Sequence, residues 1–224
     1  MSRISSTTLF NFTNSFDYLE DNLTNGIYCN NTFEKLPIRN IGYSVPMACF
    51  CDIPLSLIKE HFKWYGKYGI GINRSYARKI ELMPVWYVTS ENPLVKSLIE
   101  KKELDIFDKE YLLPYLKQFI GNQKYNDGID KRKKFYDERE WRYIPNSKLV
   151  EHNFGQSFKS VNNSIHPPLR MKLDLSQIEY IIIENINEFD KIIKVLKKLT
   201  ATTNVSFETL ISKLITSRHI ERDF

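Results

Sequence analysis

Only three cysteines occur in 224 residues, which excludes a disulfide framework. Cys49 and Cys51 are separated by one residue and lack the His and Cys company a zinc site needs. With Cys29 they read as small buried hydrophobes in a reducing compartment, the close pair expected on opposite faces of one strand. Histidine is scarce too: His61, His152, His166 and His219 are scattered, with no metal-ligand spacing, and each reads as a structural or exposed residue. The stretch YGKYGIGIN lacks both the GxxxxGK[ST] phosphate loop and the Rossmann GxGxxG turn, and no serine-nucleophile elbow occurs. No apolar run approaches a membrane span, and no N-terminal segment has the layout of a secretory leader. The expectation is a cytoplasmic protein with no membrane contact and no metal.

Aromatic residues are abundant: 14 Phe, 13 Tyr and 3 Trp make 13% of the chain, enough for stacking surfaces as well as a core. The formal charge of +5 permits an anionic partner without requiring one.

The most informative stretch is 46–74, PMACFCDIPLSLIKEHFKWYGKYGIGINR. Met47 to Cys51 is too short for a helix and reads as a buried strand. Leu55, Ile58, Phe62 and Tyr65 recur at helical spacing, and Gly66 ends that helix. Tyr68 to Ile72 returns as a strand with glycine at alternate positions. Such glycines mark close approach by a backbone or a ligand.

Before this unit, Leu9 to Thr13 alternates as a strand. A helix follows, capped by Asn14 or Ser15, carrying Phe16, Leu19 and Leu23, and stopped at Asn25-Gly26. Residues 30–44 read as a polar connection. After it come a strand at 84–88, helices at 92–103 and 109–119, and a basic segment, about 121–134, expected as a mobile surface loop. The run 135–144, FYDEREWRYI, read as a strand, places Glu138, Glu140 and Arg142 on one face and Arg139, Trp141 and Tyr143 on the other. Strands at 169–173 and 178–183 and a helix at 187–199 complete the pattern, with 206–224 unassigned. No repeat or linker divides the chain, so 1–224 reads as a single α+β domain.

What chemistry the residues offer is distributed. Asn11 and Thr13 on an early strand, Tyr65 and Tyr68 around the glycine-rich strand, and Glu140 on a late strand can surround a dinucleotide without a phosphate motif. The polar groups would hold an amide, a tyrosine would stack on a planar ring, and the glutamate would stabilise an oxocarbenium-like centre. The alternative from residue types alone is structural: Asn11 and Thr13 close a turn, and Glu140 pairs with an arginine.

The segments LFNFTNSFDYLEDNLTNGIY, VPMACFCDIPLSLIKEHFKWYGKYGIGINRSYA, PVWYV and YDEREWRYIP closely resemble the AbiGi family of abortive-infection proteins. The resemblance covers most of the chain. It implies anti-phage defence, and an antitoxin paired with a nucleotidyltransferase-like AbiGii toxin. The opening strand, helix and Asn-Gly also resemble the start of DarT-type ADP-ribosyltransferases, which implies a mixed β-sheet core with flanking helices and NAD as cofactor. On that pattern Asn11 stands where the related sequences usually carry His, Tyr68 or Tyr65 takes the mid-chain position, and Glu140 takes the late-strand position. Asn can hydrogen-bond but cannot titrate.

Two functions follow as expectations. In the first, Glu140 is catalytic, Asn11, Thr13, Tyr65 and Tyr68 bind NAD, and an acceptor, nucleic acid or protein, meets the basic segment around Lys131 to Lys134. In the second, the protein is a non-catalytic antitoxin that binds its toxin through aromatic anchors such as Trp64, Tyr65, Trp141 and Tyr143.

Overall fold

The computed structural model describes residues 6–36, 42–101, 105–124, 130–145, 153–155 and 168–224. In chain order the elements are β1 (Thr8–Thr13), α1 (Phe16–Asn25), β2 (Ile27–Tyr28), β3 (Asn30–Lys35), β4 (Gly42–Cys51), α2 (Lys59–Tyr65), β5 (Tyr68–Asn73) and α3 (Arg74–Lys79). Then come β6 (Met83–Pro84), β7 (Trp86–Val88), α4 (Pro93–Glu100), β8 (Leu116–Gln118), β9 (Ile120–Lys124), β10 (Asp130–Lys134), β11 (Glu140–Tyr143) and β12 (Asn153–Gly155). The chain closes with β13 (Arg170–Met171), β14 (Ile178–Ile183), α5 (Phe189–Thr200), α6 (Phe207–Ile211), β15 (Leu214–Thr216) and α7 (Ser217–Asp223).

Among the described residues nine strands form one mixed sheet, in the order β15-β14-β5-β1-β4-β11-β6, with β3 and β12 also paired to β4. The β14–β15 pair is parallel, and the other ladders of this sheet are antiparallel. The α+β reading therefore holds at the level of a mixed sheet with flanking helices.

Local chemistry explains the well-anticipated elements. Ser15 caps α1, its hydroxyl accepting from the Tyr18 N–H. In α5, Ile192, Val195, Leu196 and Leu199 fall at helical spacing and are buried, behind a capping box made by Asn185 and Glu188. Gly66 ends α2 at φ 101°, where a Cβ would lie 2.3 Å from the Thr13 carbonyl oxygen. The alternating glycines of β5 do mark a close approach, but by rings of the neighbouring strand. A Cβ on Gly69 would sit 2.9 Å from the Phe12 ring, and one on Gly71 would sit 2.8 Å from the Phe10 ring.

Several elements depart from the sequence reading. Of the segment 30–44, read as a polar connection, the residues 30–35 and 42–44 are strand: β3 and the start of β4 pair from Asn30↔Met47 to Lys35↔Gly42, and 37–41 lie outside the described residues. NNTFEK has little intrinsic strand preference, so pairing decides it. The helix expected over 109–119 is interrupted at Pro114, which lacks an N–H, and Leu116–Gln118 becomes β8, parallel to β7. The basic segment 121–134 contributes to the antiparallel pair β9–β10, its residues 125–129 lying outside the described ones. Phe135–Glu138 is a 3₁₀ turn, so only Glu140–Tyr143 of the expected strand is extended. Cys49 and Cys51 share one face, facing Arg142 and Glu140 respectively, because residues two apart on a pleated strand point the same way. Expecting them on opposite faces miscounted the pleat.

Three apolar clusters hold the sheet. The largest sets Leu9, Ile70, Ile72, Ile181 and Ile183 against Leu19, Leu23, Ile192 and Leu196 of α1 and α5. Another joins Phe10, Cys51 and Ile182 to Phe62 and Ile220 of α2 and α7. The third packs Tyr43, Val45 and Met47 of β4 on Val88, Val95 and Leu116.

Candidate functional site

The long strand β4 serves two neighbours in succession: its first half pairs with β3, and Ala48 to Cys51 pair with β11. β1 meets it at the register pair Phe10↔Cys51. Beyond that bridge the Asn11 amide nitrogen donates to the Cys49 carbonyl at 2.9 Å, so a side chain spans the gap where a ladder bond would otherwise lie. A cavity of about 630 Å³ opens here. Phe10, Asn11 and Phe12 line one side, His61 and Tyr65 of α2 another, and Asn122 and Gln123 of β9 a third. Its floor carries Glu34, Lys117, Glu138 and Glu140.

The floor is an ion network buried from solvent. Arg142 is fully buried; its Nε donates to Glu140 Oε1 at 2.6 Å, and Nη2 to Glu34 Oε1 at 2.7 Å. Its Nη1 reaches Tyr43 Oη at 2.9 Å and the Pro114 carbonyl at 2.8 Å. Lys117 bonds the other Glu140 oxygen and lies 3.0 Å from Glu138 Oε2. Lys133 donates to Tyr65 Oη at 3.0 Å and to Gln123 Oε1 at 3.1 Å, and pairs with Glu138 Oε1 at 2.6 Å. The Tyr65 hydroxyl donates to that same Glu138 oxygen. Three carboxylates thus face three cations, which is how charges are tolerated away from water.

Glu138 reaches this network through a local distortion. Arg139 closes the 3₁₀ turn in the left-handed region at φ 47°, a conformation costing a non-glycine residue about 1–3 kcal/mol. The turn swings Glu138 inward beside Glu140, so both carboxylates meet one lysine.

Electrostatics follow from these contacts. Burial pushes the Glu140 carboxyl up, but Arg142 and Lys117 overcome it and hold the group well below the usual carboxylate range. Glu138 is lowered in the same way, burial being outweighed by Lys117 and Lys133. Burial opposes the charge on Lys117, yet Glu140, Glu34 and Glu138 keep it protonated. Burial raises the Tyr65 hydroxyl, and Glu138 adds to that. His61 is pushed down to about 4, chiefly by burial, so its ring is neutral near pH 7. Its Nε2 is buried with no hydrogen-bond partner.

Of the residues singled out from sequence, Asn11, Tyr65 and Glu140 line the cavity, whereas Thr13 and Tyr68 are not among its lining residues. Thr13 and Tyr68 are register partners at the far end of β1 and β5. The Tyr68 hydroxyl donates to Glu188 Oε1 at 2.7 Å, and its ring packs edge-on against Phe16. Of the aromatic anchors, Trp141 and Tyr143 pack against the largest core cluster, and Trp64 lies under the Lys133 ammonium, 4.2 Å from its ring centroid. Sequence reasoning grouped Glu138, Glu140 and Arg142 but missed Glu34, Lys117 and Lys133, whose convergence depends on three separate strands. Among the described residues, no cluster of His, Cys, Asp and Glu could hold a metal ion, and no helix is long and apolar enough to cross a membrane.

No solved structure matches the chain. Its sequence carries the assignment: residues 25–184 match the family described as "abortive phage resistance protein AbiGi, antitoxin", which places it among phage-resistance proteins. The match spans more than half of the sequence, and the chain belongs to the AbiGi family. A relative named abortive phage resistance protein AbiGi, from Lactococcus lactis subsp. cremoris, is 24% identical over 234 residues, covering 85% of this chain and 92% of the relative.

Proposed function

We propose that this AbiGi protein acts in the cytoplasm as the non-catalytic antitoxin of a pair, restraining a nucleotidyltransferase-like AbiGii toxin by direct binding. The observation behind the non-catalytic part is the enclosure of Glu140. A carboxylate that stabilises a developing positive charge must have its own charge available. The Glu140 carboxylate is bonded to Arg142 through one oxygen and to Lys117 through the other. The Asn11 amide, likewise, donates to Cys49. The antitoxin part rests on the family's description.

A second reading has its own support: Asn11, Tyr65 and Glu140 share one cavity, of a size typical of cofactor sites. In that reading the protein is an ADP-ribosyltransferase-like domain that binds NAD, with nucleic acid or protein as acceptor.

One experiment separates the two. The protein is co-expressed with its toxin, scored for growth and co-purification, and then incubated with NAD and nucleic-acid or lysate acceptors. Growth rescue and a stable complex without NAD turnover support the antitoxin reading. Turnover that Glu140→Gln abolishes, in a variant with an unchanged circular dichroism spectrum, would replace it with the transferase reading.

A further inference from the structure

We propose that the cavity binds an uncharged, planar nitrogen heterocycle of the nucleobase or nicotinamide kind, hydrogen-bonded by His61 Nε2. The inference concerns the ligand of the cavity and is independent of whether NAD is turned over.

His61 is the group left over by the network. It is 7% exposed, it lines the cavity, and its Nε2 has no partner. A buried polar atom without a partner is costly, and such atoms in native structures call for a ligand, a water or an ion. Being neutral, the imidazole can offer Nε2 as donor or acceptor, which suits an amide-like ring edge and not a fixed charge.

The surrounding wall narrows the ligand further. The Phe12 and Tyr65 rings lie 6.4 Å and 5.8 Å from the His61 ring, so a flat ligand meets aromatic surface beside its polar contact. Asn30, Gln118 and Asn122 also line the space. The lining is thus mixed: aromatic walls, a few amide residues and an ionic floor whose charges are paired with one another. A phosphate finds less. Lys117 pairs with Glu138 and Glu140, Lys133 with Glu138, and Arg142 with Glu34 and Glu140. Of these cations Lys117 lines the cavity, and the second lining cation, Lys35, is exposed at the end of β3. An anion would therefore compete with buried carboxylates for cations already paired.

The test is titration calorimetry on the full chain with nicotinamide, the four ribonucleosides, their 5′-monophosphates and NAD, at matched salt. We expect at least one nucleoside or nicotinamide to bind at a single site, its phosphorylated form at least tenfold more weakly. His61→Phe, which keeps an aromatic ring but removes Nε2, should weaken binding tenfold or more, while His219→Gln leaves it unchanged. No binding of any heterocycle, tighter binding of the phosphorylated forms, or full affinity in His61→Phe would overturn the proposal. Binding of NAD alone would also overturn it, while leaving the transferase reading standing. Should His61→Phe fail to fold, the imidazole ¹⁵N resonances of the wild-type protein decide: a ligand-induced shift at His61 Nε2 supports the contact, and none refutes it.

Discussion

On the side of the sheet covered by α1 and α5, Leu9, Ile70, Ile72, Ile181 and Ile183 meet Leu19, Leu23, Ile192 and Leu196, aliphatic against aliphatic. Around the second half of β4 the same sheet buries Glu34, Lys117, Glu138, Glu140 and Arg142 instead. The first arrangement gains free energy from every apolar surface removed from water. The second must first strip water from these five charges and recovers that cost only through matched partners. Apolar residues of similar volume would hold β4, β8 and β11 together at least as well. The ionic floor therefore makes better sense as a rigid, polar wall for the cavity than as a source of stability. Its positions are over-determined: Arg142 alone contacts two carboxylates, one hydroxyl and two backbone carbonyls.

Breaking each region should expose the difference. Arg142→Met leaves Glu34 and Glu140 buried with fewer counter-charges, and should destabilise the protein by about 3–5 kcal/mol in urea unfolding. Leu196→Ala, on the aliphatic side, creates a cavity under α5 and should cost roughly 2–4 kcal/mol. Salt should not separate them. The loss from Leu196→Ala should change little with ionic strength, and so should that from Arg142→Met, because buried pairs are poorly screened. A strongly salt-dependent Arg142→Met would mean that the floor is open to solvent and would break the comparison.

The aliphatic side was largely legible in the sequence, and the ionic side was not. Leu9 to Thr13, Tyr68 to Ile72, Ile178 to Ile183 and the α5 spacing announce themselves through periodicities of two and 3.6, which depend on neighbours in the chain. Glu34, Lys117 and Lys133 have no such signature. Each sits in a segment whose local preference pointed elsewhere: a polar connection, a helix and a solvated loop. What fixes them is pairing with residues far along the chain, such as the 108 positions between Glu34 and Arg142. The candidate site was legible in part for the same reason. Glu140 and Arg142 alternate on one strand and could be grouped, but nothing local places Tyr65 beside Glu138 or separates Tyr68 from both.

Acid should sharpen the contrast through two separate windows. His61 ordinarily titrates near 6.5 and is held at about 4 in the fold. As pH falls below 6.5 the unfolded chain takes up a proton that the folded chain refuses, so stability declines by up to about 1.4 kcal/mol per pH unit. Glu138 and Glu60 around the ring favour its protonation, and Lys133 and Lys117 oppose it, without reversing the effect of burial. Glu138 and Glu140 are themselves held below the usual carboxylate range. Their contribution is fully present above the ordinary carboxylate value and is lost only as pH falls through and below it. Urea unfolding from pH 7 to 3 should therefore show one slope between 6.5 and 4 and a second below about 4. His61→Phe should abolish the first and keep the second. A variant that retained both would remove His61 as the origin of the upper window.

The smallest effect is expected at Tyr68, an aromatic member of the cluster on the α1 and α5 side. Its hydroxyl donates to Glu188 Oε1 and lies 3.4 Å from Glu184 Oε2, and Tyr68→Phe removes both contacts without opening a cavity. Glu188 keeps its other partners, since Oε2 accepts from the backbone N–H of Glu184 at 3.1 Å and of Asn185 at 3.4 Å. The loss should be about 1–1.5 kcal/mol, the low end for a hydrogen bond to a carboxylate, because Glu188 is only half-buried. It should appear in thermal or urea unfolding and leave both ligand binding and toxin binding intact. Loss of ligand binding in a normally folded Tyr68→Phe would extend the functional surface to the far end of β5. The division between an aliphatic frame and an ionic, cavity-facing wall would then no longer hold.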